Sequence, residues 1–424
     1  MTETSMIWFS WAVLVSVLTV VASGRISMDL AAWCGLMLLA VFRIAPGAVL
    51  FSGLSHPALI TIVAVMIMSE GIAASGALAG LGLAISKRTR TVQEQILSVS
   101  LFTSLMSAFM NNVGAVGLIL PTAVRMADRA KVHRGVFGMP LAFASILGGT
   151  MTLIGSAPNI IVSSYLFQQS GIQLRMFDFL PHGLAIILSA ILLWQISLTF
   201  GFSPMRNSPL TSNPMAPEVL PPPVAGVMAT PTRRWTVIWS LLGIVLVSYG
   251  FLTPAVGFSG VVILFVLTRV MTIKQIYRSI ELPIVFFLSG MIGIGQTMEH
   301  IGGLDALSRW LLPQIMQLSP VVLIAIILGV AMLLSNAINN AAAAVVMVPI
   351  AYSLAIQTQA VSATALLMAV AAGANLALIL PTHQASLLVL SKAPFSFSTY
   401  IRSGLALSLI TSLAAIAAII LIWN

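Results

Sequence analysis

Apolar segments of helical length follow one another along nearly the whole chain, and they constrain its fold more than any single motif does. They fall at residues 7–23, 29–43, 57–85, 94–127, 137–167, 180–201, 235–252, 256–270, 282–298, 318–355, 362–391 and 398–423. About 20 apolar residues span a bilayer as a helix, whereas barrel strands read as short alternating stretches. In lipid every backbone amide and carbonyl must be paired within the protein, which leaves helices for this pattern. Charged residues are 7% of the 424, against about 25% in a soluble domain, too few to cover a water-facing surface. The expected fold class is an all-α polytopic membrane protein.

The net charge of +9 does not point to nucleic acid, because the charges cluster between apolar segments, as topology determinants do. The sole cysteine, Cys34, can form no intrachain disulfide and no metal cluster. Met1–Ser5 carries no basic residue ahead of the first apolar run, which speaks against a cleaved secretory signal.

Two segments, 94–127 and 318–355, are too long for one crossing and are interrupted by asparagine pairs. A shift of 228 residues lays one on the other. Ser107 falls on Ser335, Asn111 on Asn339, Asn112 on Asn340, Ala115 on Ala343 and Pro121 on Pro349. The windows read "SAFMNNVGAVGLILP" and "SNAINNAAAAVVMVP". A shared Ala means little in such a chain, but a shared Asn-Asn pair with the same Ser and Pro spacing indicates a duplication.

The expected domains are a first repeat at 1–202, a linker at 203–234 and a second repeat at 235–424. The linker holds eight prolines between Pro204 and Pro231 and reads as a cytoplasmic connector. Five spans plus one re-entrant hairpin per repeat give an odd number of crossings, so the second repeat is inverted. With the linker in the cytoplasm, sixteen basic residues lie inside and only Arg43, Arg175 and Arg309 outside, as the positive-inside rule requires. Both termini then face outward.

Inverted repeats place transporter sites near the membrane midplane, where interrupted helices expose backbone ends. Four stretches qualify. The hairpin tips "SAFMNN" and "SNAINN" supply amide and hydroxyl oxygens suited to Na⁺, and the helix starts that follow suit an anion. The bland reading of a lone Asn there is glue between helices, and duplication weighs against it. The other two stretches are "GGTMTLIGSAPNIIV" and "ANLALILPTHQASLLV", which a shift of 227 aligns with Ser156 on His383. Gly155, Pro158, Pro381 and Thr382 supply helix-breaking chemistry in them, though a plain kink would use the same residues.

Two ionisable groups, Glu70 and His383, lie in apolar segments and are candidates for proton linkage. The Gly76–Gly80 step fits helix packing equally well, and Glu299, His300 and Asp305 fall near an outer boundary. No G-x-x-x-x-G-K-[ST] is present, so no ATP-driven step is expected, and nothing suggests an enzyme or an organic cofactor.

At these stretches the chain resembles the divalent-anion/sodium symporter family of the ion-transporter superfamily, over most of its length. That family carries a Ser-Asn-Thr triplet at each of two hairpin tips, matched here by Asn111-Asn112-Val113 and Asn339-Asn340-Ala341. Its T-P-P-N-like breaks are matched by Ser156-Ala157-Pro158-Asn159 and His383-Gln384-Ala385-Ser386. The resemblance implies an elevator-type homodimer in a bacterial inner membrane, with the first three spans of each repeat as scaffold. It implies Na⁺ sites at Ser107, Asn111, Asn112 and Gly155, and at Ser335, Asn339, Asn340 and Thr382. A small anion, sulfate or a dicarboxylate, would lie near Asn112, Ser156, Asn340 and His383. Val113 and Ala341 depart from the family's threonines and match a branch of sulfate and inorganic-anion permeases, here without their soluble regulatory domains. The alternatives are a proton-coupled carrier or antiporter (arsenite, or Na⁺/H⁺) and a non-transporting anion receptor.

Overall fold

The computed structural model describes residues 2–75, 91–199 and 230–423. The Gly76–Gly80 step, the loop cations Lys87, Arg88, Arg90 and Arg206, and most of the proline-rich linker lie outside these residues.

Among the described residues the regular structure is entirely helical. The first half runs α1 (Glu3–Ser23), α2 (Met28–Val41), α3 (Gly47–Leu50), α4 (Pro57–Ala74), α5 (Val92–Ser107), α6 (Asn112–Ala130), α7 (Gly135–Gly148), α8 (Ala157–Ser170) and α9 (Leu180–Thr199). The second runs α10 (Thr230–Ser248), α11 (Pro254–Leu267), α12 (Ile273–Ser279), α13 (Leu282–His300), α14 (Gly303–Ile315), α15 (Pro320–Ala337), α16 (Asn340–Thr358), α17 (Ala363–Asn375), α18 (Gln384–Lys392) and α19 (Phe397–Trp423). Among the described residues six stretches are long and apolar enough to cross a membrane, including α1, α13, α15, α16 and α19.

Element order repeats between the halves. Asn112–Ala130 and Asn340–Thr358 are related by the same shift of 228 residues, as are the starts of α5 and α15 and of α7 and α17. The long segments 94–127 and 318–355 are each two helices joined by a short turn at the asparagines, and 137–167 and 362–391 are each interrupted.

Local chemistry sets these boundaries. Thr91 and Glu94 form a capping box at α5, and Ser362 caps α17 through the Ala365 amide. Proline occupies the first turn of α4, α8, α11, α13 and α15, where its missing N–H costs nothing. Pro121 and Pro349 lie inside α6 and α16, where each removes one intrahelical hydrogen bond.

The two halves interpenetrate around the broken helices. Helix α8 of the first half packs on α16 and α17 of the second, and α18 packs on α6 and α7. A second contact between halves joins α2 to α13, where Gly290 lies against Ala32 and a Cβ there would meet it at 3.1 Å. At the centre, the Asn375 amide donates to Asn159 Oδ1 at 2.9 Å, with both side chains buried. An unpaired amide there would cost several kcal/mol, so this bond ties the two broken helices together.

Candidate functional site

Each hairpin tip is built the same way. Helix α5 ends at Ser107, the chain turns, and Asn111 caps α6 by accepting from the Val113 amide at 3.2 Å. In the second half Asn339 caps α16, accepting from the Ala342 amide at 2.9 Å. The serine before each pair braces the second asparagine. Ser107 Oγ lies 2.7 Å from the Asn112 amide and donates to the Ser145 carbonyl at 2.6 Å. Ser335 Oγ lies 2.9 Å from the Asn340 amide and donates to the Ala374 carbonyl at 2.5 Å.

The breaks between α7 and α8 and between α17 and α18 are held by buried side chains. Thr152 donates to the Ala108 carbonyl and accepts from the Gly155 amide, and the Asn159 amide donates to the Gly149 and Thr152 carbonyls. In the second half Asn336 does this work, its Oδ1 accepting from the Ile379 and Leu380 amides at 2.9 and 3.1 Å. Gly149 and Gly155 approach so closely that a Cβ on Gly155 would sit 2.6 Å from the Gly149 carbonyl, so no larger residue fits this crossing. The breaks end at equivalent residues, because Ser156 stands at the N-cap of α8 and His383 at that of α18.

Tips and breaks converge on one cavity of about 310 Å³. Of the residues expected from sequence, Asn111, Asn112, Gly155, Ser156, Ser335, Asn339, Asn340, Thr382 and His383 line it. Ser107 is wholly buried behind Asn112 and does not reach the lining. Glu70 is not brought in. It is exposed on the outside of α4, four residues from the helix end, rather than deep within the bundle. Glu299 accepts from the Gln169 amide at 2.7 Å and lies away from the cavity.

Three lining or neighbouring groups were given no role from the sequence. Ser69 is 5% exposed, its hydroxyl has no partner, and it shares one face of α4 with Ile62, Val65 and Met66, at helical spacing. Gln384 opens α18 beside His383. Glu281 accepts from the Asn111 amide at 3.3 Å across 170 residues of sequence, linking the first tip to the start of α13.

Among the described residues no lysine or arginine lines the cavity, yet the N-termini of α6, α8, α16 and α18 all place their first residues at it. First-turn amides and the helix dipole favour an anion near such ends. Amide and hydroxyl oxygens from the tips are hard donors that fit Na⁺, so polar groups for both signs of charge are present.

Sequence comparison places the chain in a transporter family. Residues 9–373 match the model of the citrate transporter family, CitMHS. The chain belongs to that family. It is 25% identical over 92% of its length to a 46 kDa membrane protein of Mycobacterium leprae, covering 93% of that relative. It is 28% identical over 40% of its length to the uncharacterised transporter YfbS of Escherichia coli, and 27% identical over 31% to sodium/sulfate cotransporter 1 of Chlamydomonas reinhardtii. Those matches span 28% and 16% of the relatives' own lengths. Among solved structures, MtrF of Neisseria gonorrhoeae, described as one of a class of antimetabolite efflux pumps, aligns over 92% of this chain and 84% of its own. Its TM-score of 0.61 at 13% identity shows a shared fold. The chain is that of a multi-pass membrane protein of this family.

Proposed function

We propose that this member of the citrate transporter family is a secondary-active symporter that couples Na⁺ to uptake of a small multivalent anion such as sulfate or a dicarboxylate. One observation carries the reading: four helix N-termini meet at a cavity that no lysine or arginine lines among the described residues. Such a site attracts an anion without fixing it by a full charge, and cations bound at the tips would complete the charge balance. The family's name supports an anionic cargo, and the relatives named sodium/sulfate cotransporters support its pairing with Na⁺. In this reading the two halves are inverted, tips and broken helices move as an elevator against α1, α2, α4 and their counterparts, and the protein is a homodimer of the inner membrane. A proton-driven carrier is the competing reading, favoured by His383 at the cavity wall.

Counterflow into proteoliposomes of labelled sulfate, succinate and citrate, each with Na⁺ and with choline, tests this. Na⁺-stimulated exchange of at least one anion is expected. Failure of all three to move sinks the proposal, and movement driven equally in choline transfers it to the proton-driven form.

A further inference from the structure

Helix α13 meets the cavity at one end and a polar cluster at the other. Ile284, in its first turn, lines the cavity, whereas Glu299 lies about 22 Å further along the helix at 1.5 Å of rise per residue. There the Glu299 carboxylate accepts from the Gln169 amide at 2.7 Å and from the Tyr165 hydroxyl at 3.4 Å. Gln169 and Tyr165 stand in the last two turns of α8. The adjacent Gln168 interacts with His56, the N-cap of α4, and the Tyr165 ring lies edge-on to Tyr352 of α16 at 5.6 Å.

Helix α8 begins beside the cavity, with Ala157 and Pro158 in its lining. One helix of 14 residues therefore joins the break at the cavity to this cluster, and a displacement of either end is carried to the other.

The cluster is built to be released. Helix α8 packs on α4 and α16, and α13 packs on α2 and α16, but α8 and α13 are joined here by long side chains. Both donors to Glu299 are neutral, and among the described residues no lysine or arginine pairs with it. Glu299 is half-buried and Gln169 exposed, so water takes over each bond when the helices part. In the elevator reading α8 belongs to the moving part, and α4 and α13 to the frame, so the cluster spans the sliding boundary. A hydrogen bond is lost once donor and acceptor separate beyond about 3.5 Å, so a slide of one helical turn breaks both bonds.

We propose that Glu299, Gln169 and Tyr165 form a latch that closes the end of the bundle opposite the cavity and holds the protein in the state seen here. This rests on the elevator form of the proposed function. Release of the latch is then a condition for the cavity to open at the other membrane face, and α8 carries to it the movement of the break.

The test uses full-length protein in a Cys34→Ser background, reconstituted into right-side-out and inside-out vesicles, with folding checked by size exclusion. Exposure of the cavity at each face is read from the rate at which Gln384→Cys reacts with an impermeant maleimide, so no substrate need be identified. The slower face reports the minor state, and its rate scales with that state's population. This rate is expected to rise severalfold in Gln169→Ala and in Tyr165→Phe, and further in Glu299→Ala, which loses both bonds. Glu299→Gln, which keeps one carbonyl to accept, is expected to fall between wild type and Glu299→Ala. Reaction from both faces with an unchanged or slower minor rate in all these variants overturns the latch and leaves the elevator standing. Reaction from one face only, in wild type and in every variant, means that the cavity does not alternate, and overturns the latch and the elevator reading together.

Discussion

Ser107 and Ser335 each place one hydroxyl between a tip asparagine and a backbone carbonyl of the neighbouring helix. Removing the hydroxyl strands a buried carbonyl and frees the amide that depends on it, which costs about 1–3 kcal/mol. Ser107→Ala and Ser335→Ala should therefore lower the apparent melting temperature and raise the anion concentration needed for half-maximal flux. Unchanged melting in both would show that the tips are braced by something else. The bond between Asn375 and Asn159 is the corresponding test between halves. Single alanine substitutions should each destabilise, and the double substitution should cost less than their sum by about 0.5–3 kcal/mol in a thermal double-mutant cycle, as for residues in contact. Additivity would mean that the bond contributes nothing. The tip asparagines and serines were readable because polar groups in an apolar chain stand out and the duplication marks them twice. Glu281 was not, since nothing local to "SIELPIV" ties it to a tip 170 residues away.

At the scale of helices, hairpins and breaks are held against each other by glycines that admit no side chain. A Cβ on Gly148 of α7 would lie 2.3 Å from the Ser104 carbonyl of α5, and one on Gly373 of α17 would lie 2.2 Å from the Leu328 carbonyl of α15. These are corresponding helix pairs in the two halves, so each hairpin seats its first arm on the helix before the break through a backbone contact. Gly148→Ala and Gly373→Ala must push backbone from backbone, an overpacking cost of about 1–3 kcal/mol or more. Gly117 in α6 has nothing within 4 Å of its Cβ position and is the matched control. Expression and melting should fall in the first two variants and hold in Gly117→Ala; equal behaviour of all three would refute the packing account. The interruptions themselves were legible, because Gly, Pro and paired Asn do not continue an apolar helix. Which face of a helix meets the cavity was not. Helix α4 is apolar all round, so periodicity gives no face, and its one acid drew notice while the neighbouring Ser69 lines the cavity.

On the scale of the whole molecule, the repeat and the sign of the loop charges carry the topology, while the depth of the site comes only from contacts. Both tips touch the first turn of a helix from the other half or the residue just before it. Asn111 reaches Glu281, directly ahead of α13, and the Asn339 amide lies 3.5 Å from Met28 Sδ at the start of α2. In the topology proposed from the loop charges, Arg25 and Arg278 are cytoplasmic, so both starts lie at the inner face. At 1.5 Å of rise per residue, Met28 and Ile284, which line the cavity, then sit about one turn from that face. The cavity in this state should open to the cytoplasm. In a Cys34→Ser background, a cysteine introduced at the exposed cavity residue Gln384 should react with an impermeant maleimide in inside-out vesicles, and anion plus Na⁺ should slow that reaction. A cysteine at the exposed Ile172, close to Arg175 in the loop expected outside, should react only in right-side-out vesicles. Labelling of the Gln384 cysteine from the outer face alone would reverse the assigned state. Labelling of the Ile172 cysteine from the inner face would reverse the topology itself.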